Sequence, residues 1–187
     1  MAMTWLLLVV YILTIAMAVI VTVVVFFWES SLIFTRAPFI PSPAEIAPQI
    51  LSALELDENS VLYDLGCGEG HILRAGSAIQ PKAKFVGIER SWLPYFMAIH
   101  KSRVGHPNLK FIRSSFFKCD LADANRVFIY LFPGLMNDLL PKLQRELKPG
   151  TRVVSCDFEF KGKQPIKVID LGRPKNVLGR RLLVYQF

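Results

Sequence analysis

The sequence predicts an α/β domain with a seven-stranded, mostly parallel sheet, preceded by one transmembrane helix. Two observations lead to this prediction. Residues 1–28 contain no Asp, Glu, Lys or Arg, so every charged side chain belongs to the rest of the chain. There, short apolar runs alternate with amphipathic stretches, which is typical of strands that alternate with helices. The mean hydropathy of +0.38 therefore combines one apolar segment with one ordinary globular domain.

The apolar segment runs from Trp5 to Trp28 and is long enough to cross a bilayer, which takes about 20 residues. A cleaved signal peptide would need a basic start and a shorter apolar stretch, and this sequence has neither. The first basic residue, Arg36, follows the segment, and basic residues favour the cytoplasmic side. We therefore expect a single-pass membrane anchor over residues 1–28, with the following domain on the cytoplasmic or an equivalent reducing side.

The cysteines and histidines show neither the paired spacing of a zinc site nor that of a disulfide framework. They are Cys67, Cys119 and Cys156, and His71, His100 and His106. We therefore expect no metal site. Unpaired cysteines also fit a reducing compartment.

A proline-containing linker over residues 29–42 is expected to separate the anchor from the domain at 43–187. Its prolines favour extended backbone, because each proline disfavours a helical conformation of the residue before it. Ser42 and Glu45 have the spacing of a capping box, with a proline between them at the first helical position. This pattern predicts a helix that runs to about Glu55.

Strands and helices alternate through the domain. We expect strands at about 61–63, 84–89, 109–113, 126–132 and 151–157, and helices at about 69–79, 92–104 and 138–147. Such alternation implies right-handed crossovers and a parallel sheet covered on both faces. No helix separates the last two candidate strands, 166–171 and 181–187, so these should form an antiparallel hairpin. The expected architecture is a Rossmann-like sheet of seven strands.

A glycine-rich loop, Asp64-Leu65-Gly66-Cys67-Gly68-Glu69-Gly70, follows the first strand and precedes a helix. In parallel α/β sheets, ligands bind beyond the carboxyl ends of the strands, and glycines let the backbone approach a ligand closely. The spacing differs from the dinucleotide pattern G-x-G-x-x-G, and the carboxylates of Asp64 and Glu69 would repel a diphosphate. They suit a ligand that carries an ammonium group, such as S-adenosylmethionine.

Glu89 ends the second predicted strand, at the distance from the loop where an acidic residue binds both ribose hydroxyls of a nucleoside. Glu89 is therefore the candidate ribose ligand. Together with the loop it predicts an S-adenosylmethionine site composed of Asp64, Gly66, Cys67, Gly68, Glu69, Gly70 and Glu89.

With these motifs, residues 43–187 resemble the class I, seven-β-strand S-adenosylmethionine-dependent methyltransferases. Three segments are similar, more narrowly, to the membrane-anchored protein-lysine methyltransferases: Pro38-Phe39-Ile40-Pro41, Leu62 to Gly70, and Arg152 to Cys156. Mitochondrial members of that family modify the c-ring protein of ATP synthase and the adenine nucleotide translocase. The resemblance implies a minimal methyltransferase domain behind an apolar helix, acting on a membrane-protein substrate.

The chain departs from that family after the third strand, where an Asp is usual. Here the segment is Ser114-Ser115-Phe116-Phe117. Ser115 is then the candidate partner of the exocyclic amine of adenine, and Phe116 the candidate for stacking on its ring.

The fourth strand runs into Tyr130-Leu131-Phe132-Pro133, where this fold presents the methyl acceptor. Enzymes that methylate adenine typically carry Asn or Asp followed by Pro-Pro-Tyr there, so a nucleic acid substrate is disfavoured. Aromatic side chains instead suit a channel for a lysine side chain, helped by cation–π attraction. The channel candidates are Phe39, Pro41, Trp92, Tyr130, Phe132 and Pro133, with Asp157 as a docking candidate for the ammonium group. A place in the core is the alternative for Trp92 and Tyr130, and a solvated surface is the alternative for Asp157.

Residues 161–181 are strongly basic, with seven Lys or Arg and one acidic residue, Asp170. Three uses of this segment remain open: contact with an anionic leaflet, contact with an RNA backbone, or solubility alone. No aromatic-rich platform accompanies the basic residues, which disfavours RNA. A methyltransferase for a lipid-borne or other small amphiphile would share the anchor and the cofactor site, so it stays open beside protein-lysine methylation.

Overall fold

The structure is a computed structural model that describes residues 2–34 and 42–187. The described residues fall into two units, an N-terminal helix and a globular domain. The first unit is helix α1 (Ala2–Phe34). Its stretch Met3–Phe26 has a mean hydropathy of 3.0 and is, by length and composition, able to cross a membrane.

Helix α1 ends at Phe34, beyond the expected end of the anchor at Trp28. The segment Glu29–Phe34 therefore continues the helix, where we expected linker. It contains neither proline nor glycine, the residues that would most readily interrupt a helix. The channel candidates Phe39 and Pro41 lie outside the described residues.

The domain contains the predicted seven-stranded sheet. Its strands are β1 (Val61–Leu65), β2 (Lys84–Glu89), β3 (Leu109–Arg113), β4 (Arg126–Ile129), β5 (Arg152–Cys156), β6 (Lys167–Asp170) and β7 (Arg181–Gln186), in the order β3-β2-β1-β4-β5-β7-β6. The first five strands pair in parallel, whereas β7 is antiparallel to both β5 and β6. The order reverses between β1 and β4, which is where this kind of sheet binds ligands.

Four helices cover the sheet: α2 (Ala47–Leu54), α3 (His71–Ile79), α4 (Trp92–Lys101) and α5 (Pro133–Glu146). The apolar core lies on both faces of the sheet. On one face, Ile50 of α2 and Leu73 of α3 are buried in the same cluster as Phe85. On the other, Leu139 of α5 is buried with Tyr185 of β7. Each such side chain stabilises the fold by about 1.5–3 kcal/mol relative to exposure.

The capping box predicted at the start of the domain was wrong. A 3-10 turn (Ala44–Ile46) precedes α2, and no side chain caps it. The Ser42 hydroxyl instead lies 3.2 Å from Nε2 of His71, and the Glu45 carboxylate accepts a hydrogen bond from Arg173 at 3.2 Å. Both side chains are therefore committed to long-range partners. Helix α5 also begins earlier than expected, at Pro133, because proline suits the first helical position.

Candidate cofactor and acceptor site

The glycine-rich loop joins β1 to α3 at the carboxyl edge of the sheet. Gly66, Gly68 and Gly70 have φ angles of +86°, +55° and +75°, a region that other residues rarely adopt. At Gly70, a Cβ would also lie 2.7 Å from the ring of Phe111. The shape of the loop therefore depends on these glycines.

Glu89 lies against this loop, as the sequence predicted. Its side chain is buried, with 7% exposure. One carboxylate oxygen accepts a hydrogen bond from the N–H of Gly68 at 3.0 Å, and the other accepts one from the N–H of Ser91 at 2.6 Å. Because each carboxylate oxygen has two lone pairs, Glu89 retains acceptor capacity for ribose hydroxyls.

Asp64 is the second buried carboxyl of the site, with 4% exposure. Burial and the nearby charge of Glu89 raise the pKa of Asp64 to about 8. A carboxyl held protonated in this way gains an ionised form when a cation is placed beside it. The pair therefore favours a ligand that carries a positive charge.

The structure corrects the role expected for Glu69. Its carboxylate lies 2.5 Å from Nζ of Lys101 and 3.9 Å from Arg74. The hydrogen bond from Lys101 lowers the pKa of Glu69. Two cations thus already compensate this charge, so its local role is to hold the loop against α3 and α4.

Cys67 contributes packing and backbone to the loop. Its thiol is buried, and a Cβ at Gly87 would lie 2.7 Å from Sγ. Burial, with the nearby charge of Asp64, raises the pKa of Cys67, so the thiol stays protonated. Its N–H donates to the carbonyl of Ile88 at 3.1 Å, which ties the loop to β2.

Ser115 and Phe116 follow β3 at the same edge. The N–H of Ser114 donates to the carbonyl of Glu89 at 3.1 Å, which places this segment beside the ribose candidate. Phe116 is half-buried, and its ring centroid lies 4.7 Å from that of Phe117. The structure therefore brings both adenine candidates next to Glu89.

The aromatic residues beyond β4 form a cluster whose central member the sequence analysis missed. Phe158 stacks with Tyr130 at a centroid distance of 6.4 Å and packs against Phe132 at 5.6 Å. Its position just after β5 was the available signal. The Tyr130 hydroxyl is buried without a hydrogen-bond partner in the described structure, and burial raises the pKa of Tyr130. It is therefore a protonated polar group within an aromatic cluster.

Trp92 and Asp157 differ from their expected roles. Trp92 is 64% exposed, so it is not a core residue, and its ring contacts are with Phe96 and Arg113. The Asp157 carboxylate accepts hydrogen bonds from three successive backbone N–H groups, at 2.5, 2.7 and 3.0 Å. They belong to Gly179, Arg180 and Arg181. Asp157 therefore fixes the loop between β6 and β7 and is not free to dock an ammonium group.

A family model described as the ANTKMT methyltransferase domain matches residues 64–167 of the chain. A protein-lysine N-methyltransferase of Saccharolobus islandicus is 34% identical, over 72% of this chain and 84% of its own length. A lysine N-methyltransferase of Rattus norvegicus, named for the c-ring protein of ATP synthase, is 33% identical, over 66% of this chain and 56% of its own. The adenine nucleotide translocase lysine N-methyltransferase of Mus musculus is 30% identical, over 73% and 60%. The chain thus spans little more than half the length of these mammalian relatives.

Solved structures give the same fold. An RNA methyltransferase from Salinibacter ruber, in complex with S-adenosyl-L-homocysteine, superposes with a TM-score of 0.72 and 30% identity, over 79% of this chain and 93% of that one. A precorrin-6y C5,15-methyltransferase from Geobacter metallireducens has a TM-score of 0.64 at 17% identity, over 82% and 93%. The second likeness concerns the fold alone.

Proposed function

Because the chain belongs to the family of the ANTKMT methyltransferase domain, we propose that it transfers a methyl group from S-adenosylmethionine to a lysine side chain of a membrane-associated protein. One observation carries the proposal. The buried carboxyls of Glu89 and Asp64 converge on a loop of positive-φ glycines, next to the strand end that bears the Tyr130 cluster. A cationic nucleoside and an apolar amine suit these neighbouring places.

The residues present fit S-adenosylmethionine. Glu89 would hold the ribose, the glycine loop and Asp64 would hold the amino-acid part, and Ser115 with Phe116 would hold the adenine. When bound, this cofactor supplies an electrophilic methyl group on a sulfonium. The protein must therefore orient a neutral amine toward that methyl group and exclude water.

A lysine must lose its proton before it can act as a nucleophile. Its ordinary pKa of about 10.4 makes the neutral form cost about 4–5 kcal/mol at neutral pH. Tyr130, Phe132 and Phe158 would surround the side chain with apolar surface, and desolvation lowers the pKa of an amine. The aromatic cluster therefore favours the reactive form.

The unpaired hydroxyl of Tyr130 gives this cluster one polar contact. A buried hydroxyl without a partner costs about 1–3 kcal/mol, and an amine placed beside it would restore the missing hydrogen bond. The hydroxyl oxygen would accept an N–H of the amine and so turn the amine lone pair toward the methyl group. Asp157 does not act as the base, because its carboxylate is occupied by backbone amides.

Two observations support a membrane-associated acceptor. Helix α1 is able to span a bilayer by length and composition, and a shared membrane raises the effective concentration of a substrate. The names of two relatives specify the c-ring protein of ATP synthase and the adenine nucleotide translocase as acceptors. The first basic residue after the anchor, Arg36, favours placing the domain on the cytoplasmic or an equivalent reducing side.

The test is to incubate membranes from cells that lack the protein with radiolabelled S-adenosylmethionine and the purified full-length chain. We expect one membrane-protein band to acquire label on a lysine, identified by mass spectrometry. The Glu89→Ala variant is the matched control and should give no label. Label that disappears with ribonuclease would instead identify an RNA substrate, the activity named for the Salinibacter ruber structure. Label that extracts into organic solvent would identify a lipid or small amphiphile. Either result would overturn the proposal.

A further inference from the structure

Helix α4 carries an unusually exposed apolar face. Trp92, Leu93 and Phe96 are 64%, 57% and 52% exposed, and the rings of Trp92 and Phe96 lie 6.4 Å apart. Of the ten residues in this helix only Ala98 is buried. Contiguous apolar patches on a protein surface typically mark an interaction site.

The same region carries positive charge without any negative charge. Residues 90–118 contain no Asp or Glu and six basic residues, which are Arg90, Lys101, Arg103, Lys110, Arg113 and Lys118. Lys101 pairs with Glu69, whereas no ion pair joins the other five to a described carboxylate. This net charge equals that of residues 161–181. There, however, Arg173 and Arg181 are already paired with Glu45 and Glu159.

Basic and aromatic groups are adjacent on this surface. The guanidinium of Arg113 lies 5.0 Å from the ring centroid of Trp92, within the range of cation–π attraction. Arg90 is exposed two residues before Trp92. We define the α4 surface as Arg90, Trp92, Leu93, Phe96 and Arg113.

The α4 surface borders the cofactor site. Arg113 is the register partner of Glu89 in the parallel pair of β3 and β2. Both strands end at the edge of the sheet where the glycine loop lies. A partner that covers the α4 surface would therefore lie beside the entrance to the site.

We propose that the α4 surface docks on an anionic lipid bilayer. Tryptophan and phenylalanine favour the headgroup layer, and exposed arginines are attracted to anionic lipids. A surface that combines both, with no acidic side chain, is typical of interfacial membrane contacts. A protein partner fits less well, because charged residues are depleted at the core of protein interfaces. Docking would turn the cofactor edge of the domain toward the membrane, whatever the methyl acceptor is.

The test uses the full-length chain with Trp5→Phe and Trp28→Phe, which leaves Trp92 as its sole tryptophan. The protein is reconstituted into nanodiscs with or without bromine on the lipid acyl chains, near the headgroups. We expect bromine to reduce Trp92 fluorescence about twofold in discs rich in anionic lipid, with much weaker quenching in zwitterionic discs or at high salt. Arg90→Glu with Arg113→Glu should remove the difference between the two lipids.

Two further reporters, in a background that also carries Trp92→Phe, make the test specific. Ile79 is 66% exposed at the end of α3, on the opposite edge of the sheet, so Ile79→Trp should remain unquenched. Val168, 51% exposed in β6, reports on the hairpin. Trp92 that is unquenched, quenching that ignores both lipid charge and the arginine substitutions, or quenching only of Val168→Trp would overturn the proposal.

Discussion

The carboxylate of Glu89 accepts a hydrogen bond of 3.0 Å from the N–H of Gly68, 21 residues earlier in the chain. This contact fixes the glycine loop against the end of β2. It also orients the carboxylate, since the other oxygen is held by the N–H of Ser91 at 2.6 Å. The ribose candidate is therefore preorganised before any ligand binds.

Replacing Glu89 should weaken binding of S-adenosylmethionine. Glu89→Ala removes charged hydrogen bonds, and we expect a loss of roughly 1–3 kcal/mol in isothermal titration calorimetry. Glu58 is the control, because it is exposed and pairs only with Lys82 among the described side chains, so Glu58→Ala should bind normally. Since Glu89→Ala also leaves two N–H groups unpaired, its melting temperature must show that it is folded. Unchanged affinity in a folded variant would contradict the assignment.

Asp64 should make cofactor affinity depend on pH. Burial and the charge of Glu89 raise the pKa of Asp64 to about 8, so the free protein holds this carboxyl protonated at neutral pH. The ammonium group of the cofactor favours the ionised form, so binding at neutral pH should release a proton. Affinity should then fall as the pH falls, by up to about tenfold per pH unit.

Calorimetry in buffers of different ionisation enthalpy measures that proton directly. Asp64→Asn is the matched control, because an amide of similar shape does not titrate in this range. We expect no proton release and a flatter pH dependence in Asp64→Asn. The same pH dependence in both proteins would show that another group is responsible.

Removing the Tyr130 hydroxyl should separate stability from activity. Tyr130→Phe keeps the ring that stacks on Phe158 and deletes a buried group that has no partner. The variant should be as stable as the parent or more stable by up to about 1 kcal/mol. We expect kcat/KM to fall roughly tenfold, in line with the loss of one hydrogen bond to the acceptor, with cofactor affinity unchanged.

Tyr63 provides the comparison for Tyr130. Its hydroxyl donates to Asp123 at 2.7 Å, so Tyr63→Phe should lose about 1 kcal/mol of stability. Urea denaturation and methyl transfer should be measured on both variants. Loss of stability in Tyr130→Phe, or full activity, would show that its hydroxyl has a structural partner or no role in the reaction.

Asp157 should behave as a structural residue. Asp157→Ala leaves three backbone N–H groups without their acceptor and places alanine at a φ of +63°. We expect the free energy of unfolding to fall by about 2–4 kcal/mol. Asp157→Asn should lose less, because asparagine tolerates this conformation. Glu159→Ala, which removes one partly exposed ion pair with Arg181, should cost less than about 1 kcal/mol.

The sequence predicted the parts of the molecule that depend on local pattern. Alternating strands, the glycine loop and the acidic end of β2 follow from periodicity and spacing. Side-chain roles set by distant partners were not predictable in this way. Glu69 is neutralised by Lys101, 32 residues away, and Asp157 binds amides 22 to 24 residues later. Charge counting likewise singled out the hairpin, although the α4 surface holds the less compensated cations.

Separating the domain from its anchor should abolish action on membranes while leaving the cofactor site intact. Both apolar clusters of the domain draw on residues from Ile46 onward, so a chain that begins at Thr35 should fold and bind S-adenosylmethionine normally. Its methylation of membrane substrates should drop by about 10²-fold or more, because tethering multiplies effective concentration by such factors. Joining the same domain to an unrelated transmembrane helix should restore most of the rate. If the shortened chain methylates membranes as fast as the full-length protein, the anchor does not deliver the enzyme to its acceptor.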